Sequence, residues 1–595
     1  MQPSPVILLQ NFYSETPLIK LLIVDYETHN KPIRLSTLLA DLDIQLSVEM
    51  VAIDKLRNVV NCNDTNSIGH ILRKYDVAKL LLPTLDKLAI TTVINVVLKN
   101  SRLGDAPRSI SIINHTLPDN DIRHIVTCGF RLLSKGKFVD DNLDSAIQIG
   151  LHVTDLHFDE HATYDNFKHA FDICKNLTSV NFNYPRTPNQ HAYYNIPTIC
   201  HPLSTSLKIF NAHMKMVSRD TLTHCGNIED LRITVVNDTL PGKCCMSVAP
   251  FAHSLKRVCI SYRSAKRAPY YSCGKVDDAL RDLKLCIKLE DIIIRCDDSV
   301  ELEIHPSFAH SLRTLILDAN RNMVNCKNVD TCTNLRSFHC NCKLVLESAV
   351  GGVVQFPNSL RDLSVSTASD AVSDVNLSNC TSIARLTICG INNITSCAQF
   401  GRTLLRLDAS HIISSSTMQL NNIGLRNCIS IISLDVSENP YITTCNPFAK
   451  SLSVLRCCGN SGISDKSLLR CGSIILLDSG RNNGVTNCGS FAHCIKFLKV
   501  DDSLTFDINS LAECTSIEYL SACRYRGMKM VRTGSFSALY ATLRKVHVSH
   551  QSHMTTETYN ECKKRGITLL YDDRNFASPE FSRLFVQLSN KYCSA

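Results

Sequence analysis

Two short phrases in strict alternation constrain this chain more than anything else in it. The first is Cys-x-x-(Leu/Ile)-x-x-(apolar)-x-(apolar or small). It begins at Cys174, Cys225, Cys286, Cys332, Cys380, Cys428, Cys471 and Cys514. The second is Phe-x-x-x-(Leu/Ile)-x-x-(apolar), opening at Phe251, Phe308, Phe356, Phe400, Phe448 and Phe491, with weaker copies around Leu207 and Leu543. The leading apolar residues recur mostly about 21–27 residues apart between Leu177 and Leu543, and Val153 heads a degenerate earlier copy. A period of this length marks a stacked array, here built from double copies of about 45 residues.

The spacing Leu-x-x-Leu-x-Leu fits a short strand entered from a turn. Its apolar residues point to one side and the intervening residues to the other. One copy cannot bury its own apolar row, so copies must stack in register into one parallel sheet with a continuous core. Isolated amphipathic helices can mimic a single match, but not an alternating series with fixed Cys and Phe offsets.

These residues resemble the leucine-rich-repeat family. The Cys-led copies look like its cysteine-containing class, as in F-box/leucine-rich-repeat receptors of ubiquitin ligases. The chain departs from that class where every second copy opens on Phe. The resemblance implies an α/β fold: a leucine-rich-repeat solenoid, a curved parallel sheet of about 16–17 repeats over residues 151–573, preceded by a small α/β N-terminal domain. Near the end, Thr556 to Arg565 reads as a helix with Gly566 as its C-cap and residues 567–571 as a last strand. Residues 574–595 are expected to be a C-terminal tail or cap.

Residues 1–100 lack the repeat. They read as strands at 6–9 and 18–24, helices at 33–42 and 52–62, and a paired helical stretch over 68–98. KPIRLSTLLADL (31–42), LSVEMVAIDKLRNVV (46–60) and the stretch 71–97 with Tyr75, Leu80 and Leu81 resemble the BTB/Skp-type adaptor fold. That resemblance implies a cullin or Skp-like partner. Residues 101–150 read as a junction or N-terminal cap; the Leu-Pro at 117–118 resembles the opening of an F-box, although Pro suits the first turn of any helix.

The 29 cysteines, with no motif of secretion ahead of them, read as buried thiols acting as small hydrophobes. Cys-led strands two copies apart lie roughly 9–10 Å from each other, beyond the Cα separation of about 7 Å that a disulfide tolerates. CC at 244–245 and 457–458, and Cys340 with Cys342, lack the spacing of a zinc site. His253, His310 and His493 recur at one offset and read as turn caps. No nucleophile elbow, metalloprotease or phosphate-loop motif is present. The expectation is no catalytic, cofactor-binding or metal residue, and no enzyme.

Partner-binding residues are sought at exposed strand positions. One column holds Lys208, Lys256, Arg313, Arg336 and Arg361, and another, later in the chain, Asp408, Asp435 and Asp478. Together they suggest a two-signed concave face, basic early and acidic late. The net charge of +8 comes without a dense basic run, and Trp is absent, so nucleic acid is not the expected partner. Pro3, Pro5, Glu15, Pro17 and Lys20 interrupt the first apolar stretch, against a signal peptide or membrane span. The expected protein is cytoplasmic or nuclear: an interaction scaffold, in its sharper form a substrate receptor or adaptor of a cullin-type ubiquitin ligase. An extracellular leucine-rich-repeat receptor or adhesin is the alternative.

Overall fold

The computed structural model describes the strands Lys79–Leu81, Ser109–Ile113, Arg131–Lys135 and Val153–Phe158. From residue 177 to 593 it describes all but residues 183–204, 214–221, 237–245, 264–279, 297–299, 320–322, 349–350, 366–371, 391–392, 412–418, 504, 524–538, 549–555 and 572–578. The protein is α/β, with a large parallel sheet and few helices. It divides into two compact units, residues 1–256 with 279–286, and residues 257–278 with 287–595.

In the first unit those four strands continue through Ser179–Phe182, Ile209–His213 and Asp230–Val236, each paired in parallel with the next. The ladder therefore begins well before residue 151. Lys79–Leu81 is a strand paired with Ser109–Ile113, inside the stretch expected to be helical. A short apolar run such as KLLL fits a strand as well as one face of a helix, so periodicity could not decide it. The strands and helices expected before residue 63 lie outside the described residues.

In the second unit the ladder runs Arg257–Arg263, Asp291–Cys296, Thr314–Ala319, Ser337–Cys340, Asp362–Val365, Arg385–Thr387, Arg406–Asp408 and Ser433–Asp435. It goes on through Val454–Arg456, Leu476–Asp478, Phe497–Lys499, Tyr519–Ser521, Lys545–Val548 and Thr568–Tyr571. Every neighbouring pair is parallel and in the same register. The middle apolar residues, among them Leu315, Phe338, Leu363, Leu407, Leu434, Leu455 and Leu498, stack on the buried side. Helix Thr556–Lys564, Gly566 at φ 71° and the final strand fall where the sequence puts them.

The alternation has a physical basis in the turns. In the Phe-led copies, Phe308, Phe356, Phe400, Phe448 and Phe491 are buried, several at the end of a single 3-10 turn. Three residues on, a hydroxyl reaches back to the preceding Cys-led copy. Ser311 donates to Leu289 O (2.8 Å), Ser359 to Leu335 O (2.8 Å), Thr403 to Ile383 O (2.9 Å) and Ser451 to Ile431 O (2.8 Å). His253, His310 and His493 are exposed; the capping expected of them falls instead to the residue that follows, Ser254, Ser311 or Cys494. Buried Asn439 and Asn482 add side-chain donors to Ala409 O (2.9 Å) and Cys457 O (2.8 Å).

Among the described repeat cysteines, Cys225, Cys286, Cys332, Cys380, Cys428, Cys471 and Cys514 are buried free thiols. The two-copy spacing between them is only half the picture. Cys397, Cys445 and Cys488 stand three residues before Phe400, Phe448 and Phe491, and their thiols interact with those of Cys428, Cys471 and Cys514 of the next copy. The partner thiol and then burial hold these three well above the usual thiol range. Cys340 and Cys342 also meet, with sulfurs 3.1 Å apart.

Candidate functional site

Alternate residues of each strand leave the core, so the second unit carries an open strand face built from two registers. The residue ahead of each strand forms a third column, held in line by its own backbone. Arg313 N donates to Glu290 O (2.7 Å), Arg336 N to Arg313 O (2.8 Å) and Arg361 N to Arg336 O (2.8 Å). All three arginines are exposed. Arg313 pairs with Glu290 at 3.1 Å. Arg336 and Arg361 have no ion pair among the described residues, so like charges stand on neighbouring copies. Beside them Arg385 meets Asp362 at 3.6 Å.

In the first unit the basic column is neutralised. Glu229 lies between Lys208 and Lys256, at 3.5 Å and 2.6 Å. The hydrogen bond from Lys256 outweighs burial and holds the Glu229 carboxyl below its usual range.

Asp408, Asp435 and Asp478 share the central open register of the second unit, three residues further along the copy than the basic column. They do not form an acidic patch. The register reads Asp408, Asp435, Arg456, Asp478, Lys499, Ser521, His547, so signs alternate from Asp435 to Lys499. Arg456 bonds Asp435 at 3.1 Å and approaches Asp478 at 3.7 Å. Lys499 meets Asp478 at 3.1 Å. Asp478 is 2% exposed and Lys499 7%, which removes this pair from direct reach of a partner. Burial opposes the Lys499 charge, but Asp478 and Asp501 outweigh it and its pKa rises. Burial raises the Asp435 carboxyl, against the pull of Arg456. Asp408 accepts from Ser410 N and Oγ, at 3.1 and 2.7 Å.

The adjoining register turns apolar late in the chain: Val454, Leu476, Phe497, Tyr519. What covers it is the C-terminal helix Pro579–Cys593. Phe585 packs into Val454, Leu476 and Phe497, with Leu584, Leu588 and Tyr592 beside it. Its ring stands edge-on to Phe497, centroids 5.3 Å apart, and Arg456 lies over it at 5.4 Å. The Tyr592 hydroxyl acts electrostatically on Lys496 and raises its pKa. The spacing 585, 588, 592 puts these residues on one helix face, while Val586 stays exposed. The segment expected to be a tail or cap is thus a helix seated on the open face.

Sequence reasoning missed Arg456, Lys499 and His547, although each follows the second apolar residue of its phrase, as Asp435 and Asp478 do. It also missed a cross-copy set. Among the described residues, Asp501, Cys523 and His547 bring a carboxylate, a thiol and an imidazole within 4.8 Å of one another. No helix among the described residues is long and apolar enough to cross a membrane. Comparison with protein-family models and with curated proteins finds no match.

Proposed function

We propose that the chain is a leucine-rich-repeat interaction scaffold whose open strand face binds a protein segment. The observation that carries this reading is the seat of helix Pro579–Cys593. The face already accepts an amphipathic helix through an apolar row flanked by charge, the helix-in-groove mode of recognition. Elsewhere in the same unit, Arg336 and Arg361 stand exposed beside Arg313, with no ion pair among the described residues. Stacked like charges disfavour the free surface, and an acidic partner segment relieves that repulsion and is steered toward it.

In the finer form of the proposal the captured protein is the substrate of a cullin-type ligase. The N-terminal hundred residues then recruit a cullin or Skp-like component, which rests on their sequence resemblance. Reversing Arg313, Arg336 and Arg361 to Glu is expected to cut partner capture from cell extract by at least about tenfold at low salt, with the gap narrowing in high salt. Any ligase component bound through the N-terminal region should stay. Equal capture of the same proteins by the reversed variant would overturn the role of the arginine row.

A further inference from the structure

Asp501 and Cys523 occupy the same offset in consecutive copies, two residues beyond the strands Phe497–Lys499 and Tyr519–Ser521. His547 sits in the central register of the next strand, Lys545–Val548. Parallel in-register stacking therefore brings together three residues that are far apart in sequence. Asp501 Oδ1 is well served, accepting from Ser521 Oγ at 2.7 Å and Cys523 N at 2.8 Å. Asp501 Oδ2 is buried and has no hydrogen-bond partner, in a residue only 6% exposed. Lys499, whose charge acts on Asp501, directs its ammonium to Asp478 instead. On the other side of the set, Cys523 Sγ lies 3.1 Å from His547 Nδ1 and 3.4 Å from Nε2. Ser521 Oγ lies 2.9 Å from the same Nδ1.

A hydrogen-bond network alone accounts for Oδ1 and for the imidazole. It does not account for Oδ2, because an acceptor buried without a donor carries its full desolvation penalty. Burial accordingly pushes the Asp501 carboxyl up to about 6. A cation held between Oδ2, the sulfur and the ring nitrogen removes that penalty.

We propose that Asp501, Cys523 and His547 supply three ligands of a zinc(II) site, with no fourth protein ligand among the described residues. The donor set selects the ion. A thiolate with an imidazole suits zinc and disfavours magnesium and calcium, which take oxygen. Three protein ligands with one position open is the arrangement of reactive zinc sites, whereas structural sites are closed by four. Zinc bonds of about 2.0–2.3 Å at tetrahedral angles separate ligand atoms by about 3.5 Å, within the 4.8 Å that encloses this set. Binding converts the Cys523 thiol to thiolate and releases its proton to solvent. His547 coordinates as the neutral ring and Asp501 as the carboxylate, so zinc and two anionic ligands balance in charge.

The test uses the full chain, reduced with a phosphine and stripped by chelator, then titrated with cobalt(II) and with zinc(II). One equivalent of cobalt should give the intense near-ultraviolet band of a cobalt–thiolate bond, displaced by zinc. Zinc should raise the melting temperature and release about one proton per ion above pH 7. Cys523→Ser should abolish the band, and Asp501→Asn and His547→Gln should each weaken zinc binding by at least about tenfold. Cys458→Ser, a thiol outside the set, should leave it intact. Should a variant fail to fold, as judged by circular dichroism, His547→Asn and Cys523→Ala serve in its place. Absence of the band in the full chain overturns the proposal. So does a band that survives in Cys523→Ser, which would place the metal on other cysteines.

Discussion

Replacing Asp478 with Ala is expected to destabilise the second unit by about 3–5 kcal/mol, the usual cost of removing one partner of a buried ion pair. The reason is what stays behind. Lys499 is 7% exposed, and its ammonium bonds Asp478 at 3.1 Å. Without that carboxylate the ammonium must lose its charge or drag water into the face beneath the C-terminal helix. Arg456 loses a neighbour at 3.7 Å, and Cys458 Sγ loses an acceptor at 3.0 Å. Asp408→Ala, in the same register but half-buried and bonded mainly to Ser410, should cost about 1 kcal/mol. Replacing both partners, Asp478→Ala with Lys499→Met, should recover most of the loss, because no unpaired charge remains. Urea unfolding of the four proteins measures this. A double variant as unstable as Asp478→Ala would show that the stranded ammonium is not the cause.

The second large effect concerns the alternation itself. Deleting residues 431–473 removes one double copy and joins the Cys428 turn to the strand that natively follows the Cys471 turn. The Phe400 turn still precedes a Cys-led copy, and Cys397 still has a thiol partner. Deleting only residues 431–451 removes Phe448 and Ser451 and sets the Cys428 and Cys471 turns in neighbouring copies. The Cys471 turn then stands where the buried Phe448 ring stood, a large-to-small change that costs about 3–5 kcal/mol, whereas the longer deletion brings the Phe491 turn into that place. The Cys471 thiol also loses its Cys445 partner, which the longer deletion removes together with it. The shorter deletion should therefore lower the melting temperature more than the longer one. Equal losses would mean that Cys-led and Phe-led copies are interchangeable in the stack.

The parallel ladder was legible because each leading Leu or Ile sits at a fixed distance from a strand whose two apolar residues face one way. Leu312, Leu315 and Leu317 show the rule, all fully buried. The end of the array was legible from Gly566, whose φ of 71° suits glycine after a helix. Lys79–Leu81 was not, since three strand residues carry too little period to separate strand from helix. The charged face was half legible. Aligning only the acids of the central register hid Arg456 and Lys499, which convert a supposed acidic patch into an alternating, partly buried ladder. The seat of the C-terminal helix was not legible at all. The spacing of Phe585, Leu588 and Tyr592 says that an apolar face exists, but not which surface it covers. The Asp501, Cys523 and His547 set escaped for a related reason: stacking, and no local motif, makes its members neighbours.

The most direct test of the open face as a docking surface uses the chain ended after Tyr571 and a fluorescent peptide of residues 579–593. Anisotropy should show saturable one-to-one binding. Binding should be lost with Phe585→Asp in the peptide and weakened with Phe497→Ala in the sheet, because these two rings meet at 5.3 Å. Unlabelled peptide should compete with proteins captured from extract. A peptide that does not saturate the face, or that binds equally well with Phe585→Asp, would contradict the assignment of this face as a site for an amphipathic helix.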